Sequence, residues 1–300
     1  MIGKRSNRGQ NLSFTSSGND QSSFTLHLPM LIDTHAHIHQ HSRSEWDEIV
    51  NRALEARVGG IFTAGTTVED SRLAIEMASQ YEHVFAGVGV HPTDLTRSLN
   101  EDDLAQLDAL AASPQVVVMS EIGIDHQKRS PDRDWQAESF FNQIEIARKH
   151  SLPIVFHIRE ERDDYDAHSA RDAAVSILKE SGAGELGGTA HYFQGRWYFA
   201  KELLDLGFHI SFAKTLSRIS DLEETAIKTP EDRLLLETDA YPQTFKKNRD
   251  KWTEPRDTPL VAEKLATLRG SAVAQIEEST TSNALRILGQ RANIVRPVLN

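Results

Sequence analysis

The fold class that the sequence predicts is a single (β/α)8 barrel of eight parallel strands, with a leader ahead of it and closing helices behind it. Three observations point there. Eight short runs of β-branched and other apolar residues alternate with longer stretches of helical period. Seven steps carry the chain from Asp33 to Asp239 at about 29 residues each, close to the roughly 30 of a βα unit. The alternative, an open doubly wound sheet, would place a Gly-rich phosphate turn after its first strand, where this chain has Asp33-Thr34-His35-Ala36-His37 and no glycine.

In chain order, residues 1–29 are rich in Ser, Asn, Gly and Gln and show no period, so they are expected to form a disordered extension. Met30 opens directly onto Leu31-Ile32-Asp33, which suggests an optional leader or a choice of start site. Strands are expected at 30–33, 60–64, 84–90, 116–122, 153–157, 188–191, 209–213 and 234–238, each a continuous apolar run of the kind that is buried on both faces. Between them, residues 45–57, 68–80, 102–112, 134–149, 170–179, 197–206 and 216–227 carry apolar residues at three- and four-residue spacing, as amphipathic helices do. A polar loop runs through Arg256 after the last strand, and two closing helices are expected at 259–268 and 271–288. Residues 30–300 therefore read as one domain.

Composition narrows the function. The chain has 300 residues, 33 basic and 44 acidic side chains for a formal charge of −11, 13 His and no Cys. Disulfides and thiolate-held metals are excluded. The acidic balance argues against broad non-specific DNA binding, which rests on cationic surface, although a local patch can still hold a nucleic-acid substrate. No run approaches the roughly 18 apolar residues of a membrane helix, and the N-terminus lacks the apolar core of a secretory signal. A cytoplasmic protein without a membrane partner is expected.

In such a barrel the active site lies at the C-terminal ends of the strands. The residues at or just beyond those ends are His35, His37, His91, Glu121, Asp125, His157, Arg159, His191 and Asp239, nearly all of them metal-ligand types. His35 and His37 are one residue apart, so in extended backbone they face the same way and can share a divalent cation. A histidine and carboxylate set without thiolate suits zinc, manganese, magnesium, cobalt or nickel.

These segments resemble the TatD family of metal-dependent hydrolases, within the amidohydrolase-like barrel superfamily. The resemblance covers about residues 30–289 and rests on LIDTHAHI at 31–38, GVGVHP at 87–92, SEIGIDHQ at 120–127, PIVFHIR at 153–159, HYFQG at 191–195, LLLETDAYP at 234–242 and SNALRILG at 282–289. It implies two divalent metal ions per chain. His35, His37 and Asp239 would hold the first, His157 and His191 the second, and Glu121 would bridge both, with a shared hydroxide as nucleophile. Asp239 would then be the general base; its competing role is a helix N-cap. Ser120, His126, Tyr192 and Lys214 depart from the family pattern, which bears on the substrate and leaves the ligand set intact.

Other positions carry two readings each. His91 is a substrate contact or plain strand-end packing, and Arg159 a phosphate clamp or an ion-pair partner. Asp125 closes its loop through backbone hydrogen bonds, and His39 and His41 read as solvated loop residues. His209 lies at the far end of the barrel. Over 246–256 five basic residues meet two acidic ones, with Phe245 and Trp252 alongside. Lys246, Lys247 and Arg249 are therefore candidate contacts to a phosphate backbone; the alternative is a solvated loop. The leading expectation is a two-metal hydrolase of ester bonds, foremost a phosphodiesterase acting on DNA, as resemblance to TatD deoxyribonucleases implies. The same centre also suits small phosphodiesters, or carboxylic esters and amides in a lactonase, amidase or acyl-tRNA deacylase. A metal-stabilised binding protein without turnover is the non-enzymatic alternative.

Overall fold

The computed structural model describes residues 30–299; the extension expected over residues 1–29 lies outside the described residues. Eight strands follow one another: β1 (Leu31–Ala36), β2 (Val58–Ala64), β3 (Val84–Val88), β4 (Val116–Asp125), β5 (Ile154–Arg159), β6 (Gly188–Ala190), β7 (His209–Phe212) and β8 (Leu234–Leu236). They form one sheet in sequence order, each strand parallel to the next. This is the expected barrel, nearly closed, with helices between the strands. The helices are α1 (Arg43–Glu55), α2 (Val68–Gln80), α3 (Glu101–Ala111), α4 (Arg133–His150), α5 (Ser169–Glu180), α6 (Trp197–Asp205), α7 (Glu223–Lys228), α8 (Thr258–Arg269), α9 (Val273–Ile287) and α10 (Ala292–Val295).

Every residue of β1 to β4 is buried, because the strands have side chains on one face and helices on the other. The main core lies between sheet and helices and includes Trp46, Phe140, Phe156, Phe208 and Phe212. A second cluster packs Ile32, Phe62, Phe85, Val118 and Leu235 against Ile287, Leu288, Val295 and Leu299. That C-terminal segment seals the N-terminal ends of the strands, where Met30 N donates to Leu299 O at 3.1 Å. The opposite rim is left for loops. Helix starts follow capping chemistry: Thr67 accepts from Asp70 N, Asn100 and Asp103 form a reciprocal box, and Asp132 caps α4. Among the described residues no helix is long and apolar enough to cross a membrane.

Three boundaries differ from expectation in ways that matter. Strand β4 runs three residues past its expected end, to Asp125, which pairs it along the His157–Arg159 stretch of β5. The helix expected at 216–227 is broken into 3-10 turns at Lys214–Ser217 and Ser220–Leu222 followed by the short α7. Leu216 and Leu222 are both buried, but Ile219 between them is extended (φ −115°, ψ 101°), so turns meet an apolar spacing that also fits a helix. Beyond α9, the 3-10 turns and α10 that complete the second cluster carry too short a pattern to be read as elements.

Gly123 in β4 is fixed by a close approach: at its φ of +139° a Cβ would lie 2.1 Å from His157 O on β5. We expect Gly123→Ala to prise β4 from β5 and to lower stability in denaturant melts well beyond Gly187→Ala. Gly187 also has positive φ (+71°) but open space around it, so that substitution should cost only the left-handed penalty of about 1–2 kcal/mol. Equal losses for the two variants would contradict this account.

His209 opens β7 at the sealed end, buried, with both ring nitrogens unpartnered. Burial, then the nearby Arg233 and Arg286, lower its pKa to about 4. The imidazole is thus neutral in the fold and protonates more readily in the unfolded chain. Its contribution to stability is complete above about pH 6.5 and declines as pH falls towards 4. The stability difference between the parent and His209→Gln should shrink across that window; a pH-independent difference would contradict it.

Candidate metal centre

Alternation along β1 sends Asp33, His35 and His37 to one side. Asp33 is fully buried and accepts from Thr238 N at 3.0 Å and Thr238 Oγ1 at 2.5 Å, which ties the loop after β8 to β1. Asp239 N donates to His35 O at 2.9 Å, and His37 N to Ala240 O at 2.6 Å. Asp239 adopts left-handed backbone (φ 50°), a conformation stored mainly at functional sites, and it heads no helix. Its carboxylate lies 3.4 Å from His37 Nε2 and 3.9 Å from His35 Nε2.

Glu121 stands at the middle of five imidazoles, and its two oxygens divide them. Oε2 faces His35 Nε2 and His37 Nε2, each at 3.3 Å. Oε1 faces His91 Nε2 at 3.2 Å, His157 Nδ1 at 3.4 Å and His191 Nε2 at 2.7 Å. The far nitrogen of each ring has a partner of its own. His37 Nδ1 meets Ala64 O at 2.7 Å, His35 Nδ1 meets Ser120 Oγ at 3.3 Å, and His91 Nδ1 meets Thr93 Oγ1 at 2.7 Å. His157 Nε2 meets Asp125 Oδ2 at 2.9 Å, and His191 Nδ1 meets Glu237 Oε1 at 3.3 Å. Such partners fix ring orientation and leave the inward nitrogen free to ligate.

Electrostatics follow from this crowding. Burial pushes the Glu121 carboxyl up, yet the facing rings of His91, His191 and His35 hold it well below the usual range. Burial likewise opposes a charge on His37, but Asp239 and Glu121 outweigh it and push the ring up to about 10. His35, packed at 4.0 Å on His191, is lowered by burial and by that neighbour. A cation fits here. His191 Nε2 is buried and outside hydrogen-bond geometry with any partner, although Glu121 Oε1 is near. His35 Nε2 and His37 Nε2 are 3.2 Å apart, close to the roughly 3.3 Å between two nitrogens that share a tetrahedral ion. Three sets can each embrace an ion: His35 with His37 and Asp239, His35 with Glu121 and His191, and His91 with Glu121 and His157.

The cluster lines a cleft of about 790 Å³ at the C-terminal rim, whose wall includes Gln40, Thr66, Asp94, Tyr192 and Tyr241. Six residues read as ligands from the sequence meet here, and His91 joins them. Arg159 reaches the cleft wall, but its guanidinium pairs with Asp163 at 2.7 Å. Lys246 lines an adjoining cleft, while Lys247 is exposed. Arg249 is elsewhere: it bonds Glu45 at 3.0 Å and Glu254 at 2.6 Å and stacks on Trp252, so it braces the loop.

His39 and His41 are buried, against expectation. His39 bridges Thr63 Oγ1 at 2.7 Å and Asp70 at 3.0 Å, and His41 packs on Trp252. Asp125 does bond Gln127 N and Ser130, and in addition it orients His157. Asp33, Glu237 and Tyr241 were not singled out in the sequence. Asp33 lay inside an apolar run and Glu237 beside the more conspicuous Asp239, and both bond partners far away in sequence.

Residues 32–289 match the model of the family described as TatD related DNase. A Bacillus subtilis protein, uncharacterized metal-dependent hydrolase YabD, is 34% identical over 86% of this chain and 98% of its own. The 3'-5' ssDNA/RNA exonuclease TatD of Cronobacter sakazakii is 31% identical over 82% of this chain and 93% of its own. The crystal structure of the TatD homologue YJJV from Escherichia coli K12 superposes with a TM-score of 0.75 at 25% identity, covering 86% of this chain and 97% of that one. The chain belongs to the TatD family of metal-dependent hydrolases and is an enzyme that hydrolyses ester bonds with the help of divalent metal.

Proposed function

We propose that this chain, folded from residue 30 onward as one catalytic domain, is a two-ion phosphodiesterase whose substrate is DNA. One observation carries the reading: the two oxygens of Glu121 face two separate groups of imidazoles. A carboxylate so placed can bridge two cations, and paired ions suit in-line displacement at phosphorus. In this reading His35, His37 and Asp239 would hold one ion and His157 and His191 the other, with Glu121 shared between them. His91, with its Nδ1 fixed by Thr93, is a substrate contact at the cleft wall. Bound divalent ions supply positive charge that polarises phosphoryl oxygens and brings the pKa of water towards neutrality.

The protein's own part is positioning and proton transfer. Burial works to raise the Asp239 carboxyl, but its hydrogen bond to His37 and the charges of His37 and His35 keep it low, so it is ionised. It accepts the proton of the attacking water as that oxygen bonds phosphorus, and delivers it to the alkoxide released when the P–O ester bond breaks. Burial and nearby Asp239 push the Tyr192 hydroxyl at the cleft edge up to about 12, so it remains a neutral donor. The naming of relatives as ssDNA/RNA exonucleases supports a nucleic-acid substrate.

Elemental analysis of reconstituted protein should find up to two divalent ions per chain. His157→Ala should lose one and the double change His35→Ala/His37→Ala the other; undiminished metal in both would remove the ligand assignment. On a panel of single-stranded DNA, an aryl phosphodiester, an aryl ester and an acylated tRNA, the two phosphodiesters should turn over. Asp239→Asn should lower kcat by about 10²–10⁴. Turnover of the aryl ester or acylated tRNA alone would move the assignment to carbonyl chemistry.

A further inference from the structure

Beside the metal cleft, and sharing Tyr192, Asp239 and Tyr241 with it, lies a second cleft of about 500 Å³. Its walls come from the turns after β7 and the loop after β8, the region where barrels of this class often bind phosphate. Three cations line it, Lys214, Arg218 and Lys246, against the single carboxylate of Asp239. In a chain of formal charge −11 such convergence is unusual.

The cations are incompletely neutralised. Lys214 Nζ pairs with Asp257 at 2.9 Å, whereas Lys246 Nζ has no carboxylate hydrogen-bond partner among the described residues: it meets Gln243 Oε1 at 2.6 Å and Lys251 O at 3.3 Å, and lies 5.9 Å from the centre of the Phe245 ring. Arg218 is exposed, and its guanidinium has no carboxylate partner among the described residues. Burial, then Lys214 and Arg218, lower the Lys246 ammonium pKa, and Asp257 offsets them only in part. Beside the polar Ser217, Thr238, Gln243 and Thr253, the wall presents two apolar side chains to solvent: Phe245 is 69% exposed and Leu260 48%.

We infer that this second cleft holds a non-scissile phosphate of the substrate strand between Arg218 and Lys246, with the base of that nucleotide stacked on Phe245. The inference rests on the phosphodiesterase reading above and deepens it, because it makes the strand's neighbouring nucleotide a determinant of specificity. Guanidinium and ammonium donors supply charge-assisted hydrogen bonds to phosphate, and an exposed aromatic ring accepts any base. Lys214, held by Asp257, stands on the same wall.

The test uses metal-reconstituted full-length protein and calorimetric titration with thymidine 3',5'-bisphosphate, the two thymidine monophosphates and the abasic deoxyribose 3',5'-bisphosphate. The thymidine bisphosphate should bind at least about tenfold tighter than either monophosphate. Arg218→Ala and Lys246→Met should each erase most of that advantage, and Phe245→Ala should weaken the thymidine compound to the level of the abasic one. A bisphosphate no tighter than the monophosphates, or an advantage intact in Arg218→Ala, overturns the phosphate site. Equal binding of the abasic and thymidine compounds to the parent protein overturns the stacking. Failure of the phosphodiesterase reading shows separately, as absent turnover of phosphodiesters with the bisphosphate advantage preserved.

Discussion

The rim of the barrel is organised by a buried carboxylate that must be surrounded. Glu121 is 4% exposed, and a charge withdrawn that far from water is costly unless opposite charge or donors meet it. Five rings answer, delivered from or just beyond the ends of β1, β3, β5 and β6. They reach one point because a parallel barrel brings all its C-terminal strand ends to one face. The apolar packing below, with Phe156 flanked by Phe140 at 6.2 Å and Phe208 at 4.9 Å, keeps those ends in register.

Around the rings a second layer of acids completes the electrostatics. Asp125 grips the outer nitrogen of His157, and Glu237 that of His191. With Glu121 and Asp239 this places four carboxylates among imidazoles that, His37 included, must give up any proton in order to ligate. The surplus of negative charge is what a divalent cation relieves, and the acids that orient the rings also raise their basicity. Next to this acidic rim lies a cationic cleft, so opposite potentials meet at Tyr192, Asp239 and Tyr241.

Much of this was legible in the sequence because barrels convert strand order into site geometry. His35, His37, Glu121, His157, His191 and Asp239 each follow or end an apolar run, and the strand-end rule alone gathers them. What could not be read depends on distant partners. His39 resembles any loop histidine until Thr63 and Asp70 close on it. Arg249 counts as free charge until Glu45 and Glu254 claim it. The stretch 216–227 satisfies a helical spacing, and only the extended backbone of Ile219 between the buried Leu216 and Leu222 shows that it is not one helix. Arg218 and Lys246 are far apart in sequence and neighbours only across the loops.

The seam between first and last strand is joined differently from the rest of the sheet. Among the described residues β1 and β8 share no ladder. Thr34 Oγ1 reaches Leu236 O at 2.9 Å, and Asp33 holds Thr238, 205 positions away along the chain. His35, His37 and Asp239 lie on the two sides of that same seam. An ion held by all three would therefore clasp the two ends of the domain, closing a loop of about two hundred residues whose entropy the unfolded chain would otherwise recover. Ligation and folding would then draw on one free energy, and the residues proposed to activate water would also buckle the barrel.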